Sequence, residues 1–180
     1  MNIQITPFKK NNSPIEKYHI IRLDHSQIIY KICNVFAPFG IQTEHQTTNK
    51  ITQHRLNISF NQNQITSNDK SYIELTRIIT ELEKYFGEFD ELKDYELVSN
   101  IINRDTFGII IRFHLKTQKN KTTTKLIQMI NSIDSNKEWI EFDKNMQINI
   151  DICPDCLWID NKNKRYGVSF VILKVFQFIS

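Results

Sequence analysis

The closing run RYGVSFVILKVFQF, residues 165 to 178, is apolar on both of the faces that a strand presents. Alternation sets Tyr166, Val168, Phe170 and Ile172 on one side and Val171, Leu173 and Val175 on the other, so both sides need cover. Such a segment belongs at the centre of a sheet or beneath another element. Alternation leaves open which of its faces looks inward.

The chain carries the partners that this strand requires. NIQITPF (2–8), SQIIYKICNVF (26–36), ITQHRLNISF (51–60), DYELVSNII (94–102), TFGIIIRFHLKT (106–117) and QINIDI (147–152) are rich in Ile, Val, Phe, Tyr and Thr, with polar loops between them. Asn103, Arg104 and Asp105 supply a hairpin turn between the fourth and fifth of these runs. In the fifth, Ile109, Ile111, Phe113 and Leu115 share one face, while Ile110, Arg112, His114 and Lys116 share the other. One face is core material and the other is mostly cationic.

A different period governs residues 68–86, where Tyr72, Leu75, Ile79, Leu82 and Phe86 recur at three- and four-residue intervals and predict an amphipathic helix. Ser71 and Glu74 have capping-box spacing, and Gly87 is placed to stop the helix. LIQMINSI (126–133) reads as a second, short helix packed on the sheet. The expected fold is therefore mostly β with one main helix. At 180 residues, with only 4 Gly and 4 Pro, the chain is long enough to bury a core as one domain, 1–180, without staples.

Charge is informative through its distribution. The net balance is only +3, but between Arg104 and Lys125 six basic residues (Arg104, Arg112, Lys116, Lys119, Lys121, Lys125) face one acid, Asp105. Lysine-rich hairpin tips also serve solubility and protect strand edges, so charge alone does not assign a ligand. A second basic segment, CLWIDNKNKRYGVSF (156–170), sets Trp158 and Tyr166 on either side of a turn holding Lys162, Lys164 and Arg165. Unpaired nucleic acid needs cations for its phosphates and flat side chains for its bases, and stacking is worth roughly 1–3 kcal/mol per base. This hairpin offers both, although each ring could equally serve cross-strand packing.

Other chemistries find less support. Cys33, Cys153 and Cys156 are an odd number of thiols and make no disulfide framework. CPDC (153–156) has the spacing of a redox pair or of half a zinc site, but it precedes strand-like LWID instead of opening a helix, and no second ligand pair follows. Gly40, Gly87, Gly108 and Gly167 stand alone, with no phosphate-cradling loop, G-x-S-x-G or H-E-x-x-H among them. The reading is of a non-enzyme with neither cofactor nor metal. MNIQITPFKKNNSP lacks the layout of a secretory signal, and no apolar run reaches the roughly 18 residues that span a bilayer, so an intracellular, soluble protein is expected.

The ending WIDNKNKRYGVSF, with RFHLKT and KTTTKL upstream, resembles the single-stranded DNA-binding proteins of large nucleocytoplasmic DNA viruses. The resemblance covers roughly residues 94–180, and residues 1–93 supply N-terminal strands and the helix. It implies an OB-fold-like Greek-key β-barrel braced by that helix. It also implies a strand-binding groove lined by Arg112, His114, Lys116, Lys119, Lys121, Lys125, Trp158, Lys162, Lys164, Arg165, Tyr166 and Phe170. The expected function is sequence-tolerant protection of exposed single-stranded DNA during viral replication, repair or recombination, with replication proteins and a second copy of the chain as further partners. Relatives often recruit partners through an acidic C-terminal tail, whereas this chain ends in VFQFIS. The competing reading is a viral structural or scaffold protein that uses the same β surface for protein contacts.

Overall fold

A computed structural model describes residues 3–7, 14–46, 51–104, 108–115, 117–118, 121–122, 124–130, 133–136 and 144–179. In chain order the strands are β1 (Ile3–Pro7), β2 (Ile15–Arg22), β3 (Tyr30–Ala37), β4 (Ile41–Gln46) and β5 (Ile51–Phe60). Helices α1 (Gln62–Thr66) and α2 (Lys70–Gly87) follow, then β6 (Glu96–Leu97), β7 (Ile101–Arg104) and β8 (Gly108–Leu115). The remainder comprises β9 (Thr117–Gln118), β10 (Lys121–Thr122), β11 (Lys125–Ile130), β12 (Ile133–Asn136), β13 (Met146–Asp160) and β14 (Arg165–Ile179). No described helix is long and apolar enough to cross a membrane.

The pairings return on themselves. β3 pairs with β5, β5 with β8, β8 with β14, β14 with β13, and β13 with β3, and only the β8/β14 contact is parallel. This is a five-stranded circuit with two narrow seams: Phe36 opposite Ser59 between β3 and β5, and His114–Leu115 beside Val171–Ile172 between β8 and β14. A partly open Greek-key barrel of five strands is the OB architecture. β1 and β2 extend the sheet beyond β13, β4 extends it beyond β5, and β11 and β12 extend it beyond β14.

The doubly apolar terminal run is indeed central. β14 pairs with β13 along nearly its whole length, and its other edge meets β6, β8 and β11 in turn. Its partner β13 is longer than the predicted 147–152, because CPDC and LWID continue the strand. Register shifts at Asp151/Ile152 and Pro154/Cys156 let these long strands bend, and the second accommodates Pro154, which has no ladder N–H to donate.

The barrel interior holds Leu56, Ile58 and Phe60 from β5, Ile111 and Phe113 from β8, Phe170 and Ile172 from β14, and Ile32 from β3. Phe113 and Phe170 meet edge-on with centroids 6.4 Å apart. Helix α2 buries Leu75, Ile78, Ile79, Leu82 and Phe86 and packs against β3 and β14, as its spacing predicts. Its cap differs from the expectation. Asp69 is the N-cap, accepting from the Ser71 and Tyr72 amides at 2.9 and 3.1 Å, while the Ser71 hydroxyl donates to the Cys33 carbonyl at 2.6 Å. An anionic cap also suits the positive end of the helix. Gly87 is the last helical residue, and a Cβ there would lie 2.8 Å from the Tyr166 hydroxyl. It makes room for a side chain as well as marking the end.

Three further expectations need correction. Of the predicted short helix over 126–133, residues 126–130 lie instead in β11, parallel to β14 and antiparallel to β12, and Ile133 begins β12. A short apolar run does not declare its period, and the edge of β14 beyond β8 offers it a ladder. Residues 94–102 are not one strand: β6 pairs with β14 and β7 pairs with β8, so the segment crosses between two edges. β7 and β8 do pair antiparallel, but Asn103 and Arg104, expected in the turn between them, are ladder residues of β7 opposite Ile109 and Gly108, and Asp105 lies outside the described residues.

Candidate nucleic-acid interface

Opposed residues in an antiparallel ladder share a face. Between β5 and β8, Leu56 faces Phe113 and Ile58 faces Ile111 on the inside, so Asn57 opposite Arg112 and Arg55 opposite His114 occupy the outside. Strand β4 adds Gln42 beside Arg55, and its side-chain oxygen accepts from Asn57 Nδ2 at 2.9 Å. The outer face of β5 and β8 thus carries two guanidinium groups, an imidazole and two carboxamides. Asn57 is only 6 % exposed, and its Oδ1, like Arg112 Nε, is buried without a hydrogen-bond partner. A buried polar atom left unbonded costs about 1–3 kcal/mol.

Trp158 projects from β13 between Gly167 of β14 and Lys17 of β2. An added Cβ at Gly167 would lie 2.7 Å from Trp158 Cζ2 and 2.9 Å from Cε2, which shows that the indole is seated directly on the glycine. The ring is half-buried and Lys17 beside it is exposed. Following the odd-numbered residues of β14 from Gly167 to Val171, which neighbours His114, places Trp158, Arg112 and His114 on one face of the sheet. Four residues separate the Trp158 level from the His114 level, about 13 Å along the strand at ~3.3 Å per residue.

The turn after β13 is built, not loose. The Asp160 carboxylate accepts from Asn163 Nδ2 at 2.7 Å and from the Asn163 amide at 3.2 Å. These bonds, with a smaller contribution from Arg165, hold its carboxyl below the usual carboxylate range. Lys164, at φ +51°, lays its ammonium 4.5 Å from the Tyr95 ring centroid and donates to the Tyr95 hydroxyl at 3.1 Å. That hydroxyl donates to Asn161 Oδ1 at 2.7 Å, and Asn161 Nδ2 donates to Glu16 on β2 at 3.0 Å. Arg165 stands 3.7 Å from Asp160, and Lys162 is exposed. The expected cationic turn therefore exists, but its charge is tempered by Asp160 and Glu16.

Two expected groove residues are core residues. Phe170 is 0 % exposed against Phe113, and Tyr166 is 5 % exposed with its hydroxyl reaching toward Gly87 on α2. Even-numbered positions in this part of β14 point inward, so neither ring offers a face to a base. Burial and the nearby Glu83 push the Tyr166 phenol up. Of the remaining cations, Lys121 lies in β10 and Lys125 begins β11 opposite Lys174, whereas Lys116 and Lys119 lie outside the described residues. Conversely, Arg55, Asn57 and Lys17 join the face although nothing singled them out. The alternation of ITQHRLNISF could have flagged the first two.

The thiols do not form a redox centre. Cys153 and Cys156 lie within β13 and are buried, and burial pushes the Cys156 thiol up to about 11. Gln27 Nε2 donates to Cys153 Sγ at 3.1 Å. A reactive thiol needs the opposite shift. Among the described residues no group of three or more His, Cys, Asp or Glu could hold a metal ion.

No family model and no curated protein matches the chain. Solved structures do. The single-stranded DNA-binding protein gp2.5 of bacteriophage T7 superposes with a TM-score of 0.57 at 8 % identity, over 85 % of this chain and 87 % of that one. The single-stranded DNA-binding protein of bacteriophage Enc34, solved in complex with single-stranded DNA, gives 0.51 at 13 % identity over 97 % and 94 %. At such low identity the likeness concerns architecture, and on that level the chain has the fold of phage single-stranded DNA-binding proteins.

Proposed function

We propose that the chain binds single-stranded DNA without strong sequence preference, along the outer face of β5 and β8 and on to Trp158. The observation that carries this reading is the outer-face row of Arg55, Arg112 and His114, on the strands whose face OB barrels use for oligonucleotides. The guanidinium groups neutralise phosphates and release counterions, and the half-exposed Trp158 ring, backed by Gly167, offers a stacking platform. Both the fold shared with two phage proteins of that activity and the resemblance at the chain's end support the reading. Its cellular role would be to keep exposed strands of a viral genome from re-pairing or cleavage during replication, repair or recombination, in contact with replication proteins.

The face contributes no catalytic step; it holds. A fluorescence-polarisation titration of labelled oligo-dT against the matching duplex, at two salt concentrations, tests this. The expected result is preference for the single strand and affinity that falls steeply with salt. Equal affinity for the duplex, or indifference to salt, defeats the proposal.

A further inference from the structure

The barrel's parallel seam raises a separate question. Among the described residues, β8 and β14 pair directly only at His114–Leu115 and Val171–Ile172. Below that level β7 takes the edge of β8 from Gly108 to Ile111, and β6 takes the edge of β14 at Arg165–Tyr166. Trp158 stands on the β14 side of this gap, over Gly167, and Arg112 stands on the β8 side. Something other than a ladder has to set their separation.

Asn100 occupies the gap. Its carbonyl accepts from the Arg112 amide at 3.3 Å, and its side-chain amide donates to the carbonyl of Val168, the residue after Gly167. One residue is thus bonded to both strands, at the level of the two groups that the groove uses. The segment is itself held from behind. Glu83 on α2, 5 % exposed, receives the Ser99 hydroxyl at 2.9 Å on both carboxylate oxygens and the Asn100 amide at 3.1 Å. Ser99 Oγ in turn accepts from the Ile101 amide at 3.1 Å, where β7 begins. On the other side, the Val98 amide donates to the Tyr166 carbonyl at 2.8 Å.

A carboxylate this deep carries a desolvation cost that an apolar residue would not. Two donors of the 99–100 segment, the Ser99 hydroxyl and the Asn100 backbone amide, offset part of it. They do so on the side of the barrel facing α2, away from the groove, which makes Glu83 an anchor for the clasp and not a ligand contact.

We propose that Asn100, anchored by Glu83, is a positioning residue that fixes the Arg112 half of the groove against the Trp158 half. The inference rests on the reading of this face as the DNA-binding groove. It predicts that loosening the clasp misplaces Arg112 relative to the strand held on Trp158 without unfolding the barrel.

The test compares Asn100→Ala, Glu83→Ala and Glu83→Gln with Asp69→Ala, a helix-cap change remote from the groove, all well below their melting temperatures. Asn100→Ala should bind oligo-dT about tenfold more weakly and lower the slope of log K against log salt by about 1, the signature of one lost phosphate contact. Glu83→Gln keeps an acceptor and should recover most of the affinity that Glu83→Ala loses, while Asp69→Ala binds as the unaltered chain does. Wild-type affinity and slope in folded Asn100→Ala, or an equal loss in Asp69→Ala, overturns the clasp. If the unaltered chain shows no single-strand preference, the functional reading fails instead, and hydrogen exchange then decides the clasp on its own. The Arg112 amide should exchange at least about tenfold faster in Asn100→Ala and Glu83→Ala than in Asp69→Ala. Unchanged exchange refutes it.

Discussion

Replacing Gly167 by alanine probes the contact on which the proposed stacking platform depends. The new Cβ would lie 2.7 Å from Trp158 Cζ2, 2.9 Å from Cε2 and 2.7 Å from the Val98 carbonyl oxygen. The carbonyl has little room to give, because hydrogen bonds from Glu96 N to Lys164 O and from Val98 N to Tyr166 O, both 2.8 Å, pin its segment to β14. The indole therefore has to move outward. Overpacking of this kind costs about 1–3 kcal/mol, which for a chain of this size lowers the melting temperature by roughly 2–12 °C. If the displaced ring no longer presents its face to a base, oligo-dT affinity falls by the stacking contribution, about 1–3 kcal/mol or roughly 5- to 150-fold. The assay is thermal melting and titration followed by Trp158 emission, with the other tryptophan, Trp139, changed to Phe. In a Trp158→Ala background the penalty should shrink but not vanish, since the Val98 carbonyl remains. Unchanged melting and emission in Gly167→Ala would refute the proposed seating of the ring.

Phe170→Ala should cost about 3–5 kcal/mol of stability, because it empties the centre of the core, whereas Trp158→Ala should cost affinity for single strands far more than stability; urea melts and titrations on both separate the roles. Under native conditions near neutral pH a thiol reagent should modify Cys33, which is exposed, and spare buried Cys153 and Cys156 until denaturant is added. Rapid native modification of all three would contradict their placement. Burial pushes the Glu83 carboxyl up, outweighing the bonds from Ser99 and Asn100. A carboxyl raised in the folded state binds its proton more tightly than in the unfolded chain. Its contribution to stability is then greatest at acid pH and declines as pH rises from the ordinary glutamate range through the raised value. Glu83→Gln lacks that decline, so urea melts at about pH 4 and pH 7 should show the variant gaining on the unaltered chain as pH rises; a difference independent of pH would contradict it.

The β-rich class, the central place of the 165–178 run, the full extent of β5 and the apolar face of α2 were all legible, because each rests on local periodicity that tertiary packing reinforces. What stayed hidden depends on partners distant in sequence. β11 is a strand because β14 has an open edge, and no feature of LIQMINSI announces that. Residues 94–102 break in two because they cross a seam in the barrel. Asp69 outcompetes Ser71 as cap, and the Ser71 hydroxyl is drawn to Cys33 of β3. In the candidate interface, the outer-face placement of Arg112 and His114 was legible from alternation within one strand. Tyr166 and Phe170 misled because a run apolar on both faces conceals which side is inside, and Arg55 and Asn57 became visible only when β5 was laid beside β8.

The most direct test is quenching of Trp158 emission by oligo-dT at several salt concentrations, in the unaltered face and in Arg112→Ala, with duplex of the same length alongside. A saturable quench specific to the single strand is predicted, with a salt slope that falls by about 1 when Arg112 is removed. No quench, an equal quench by duplex, or a slope indifferent to Arg112 would show that DNA does not lie along this face.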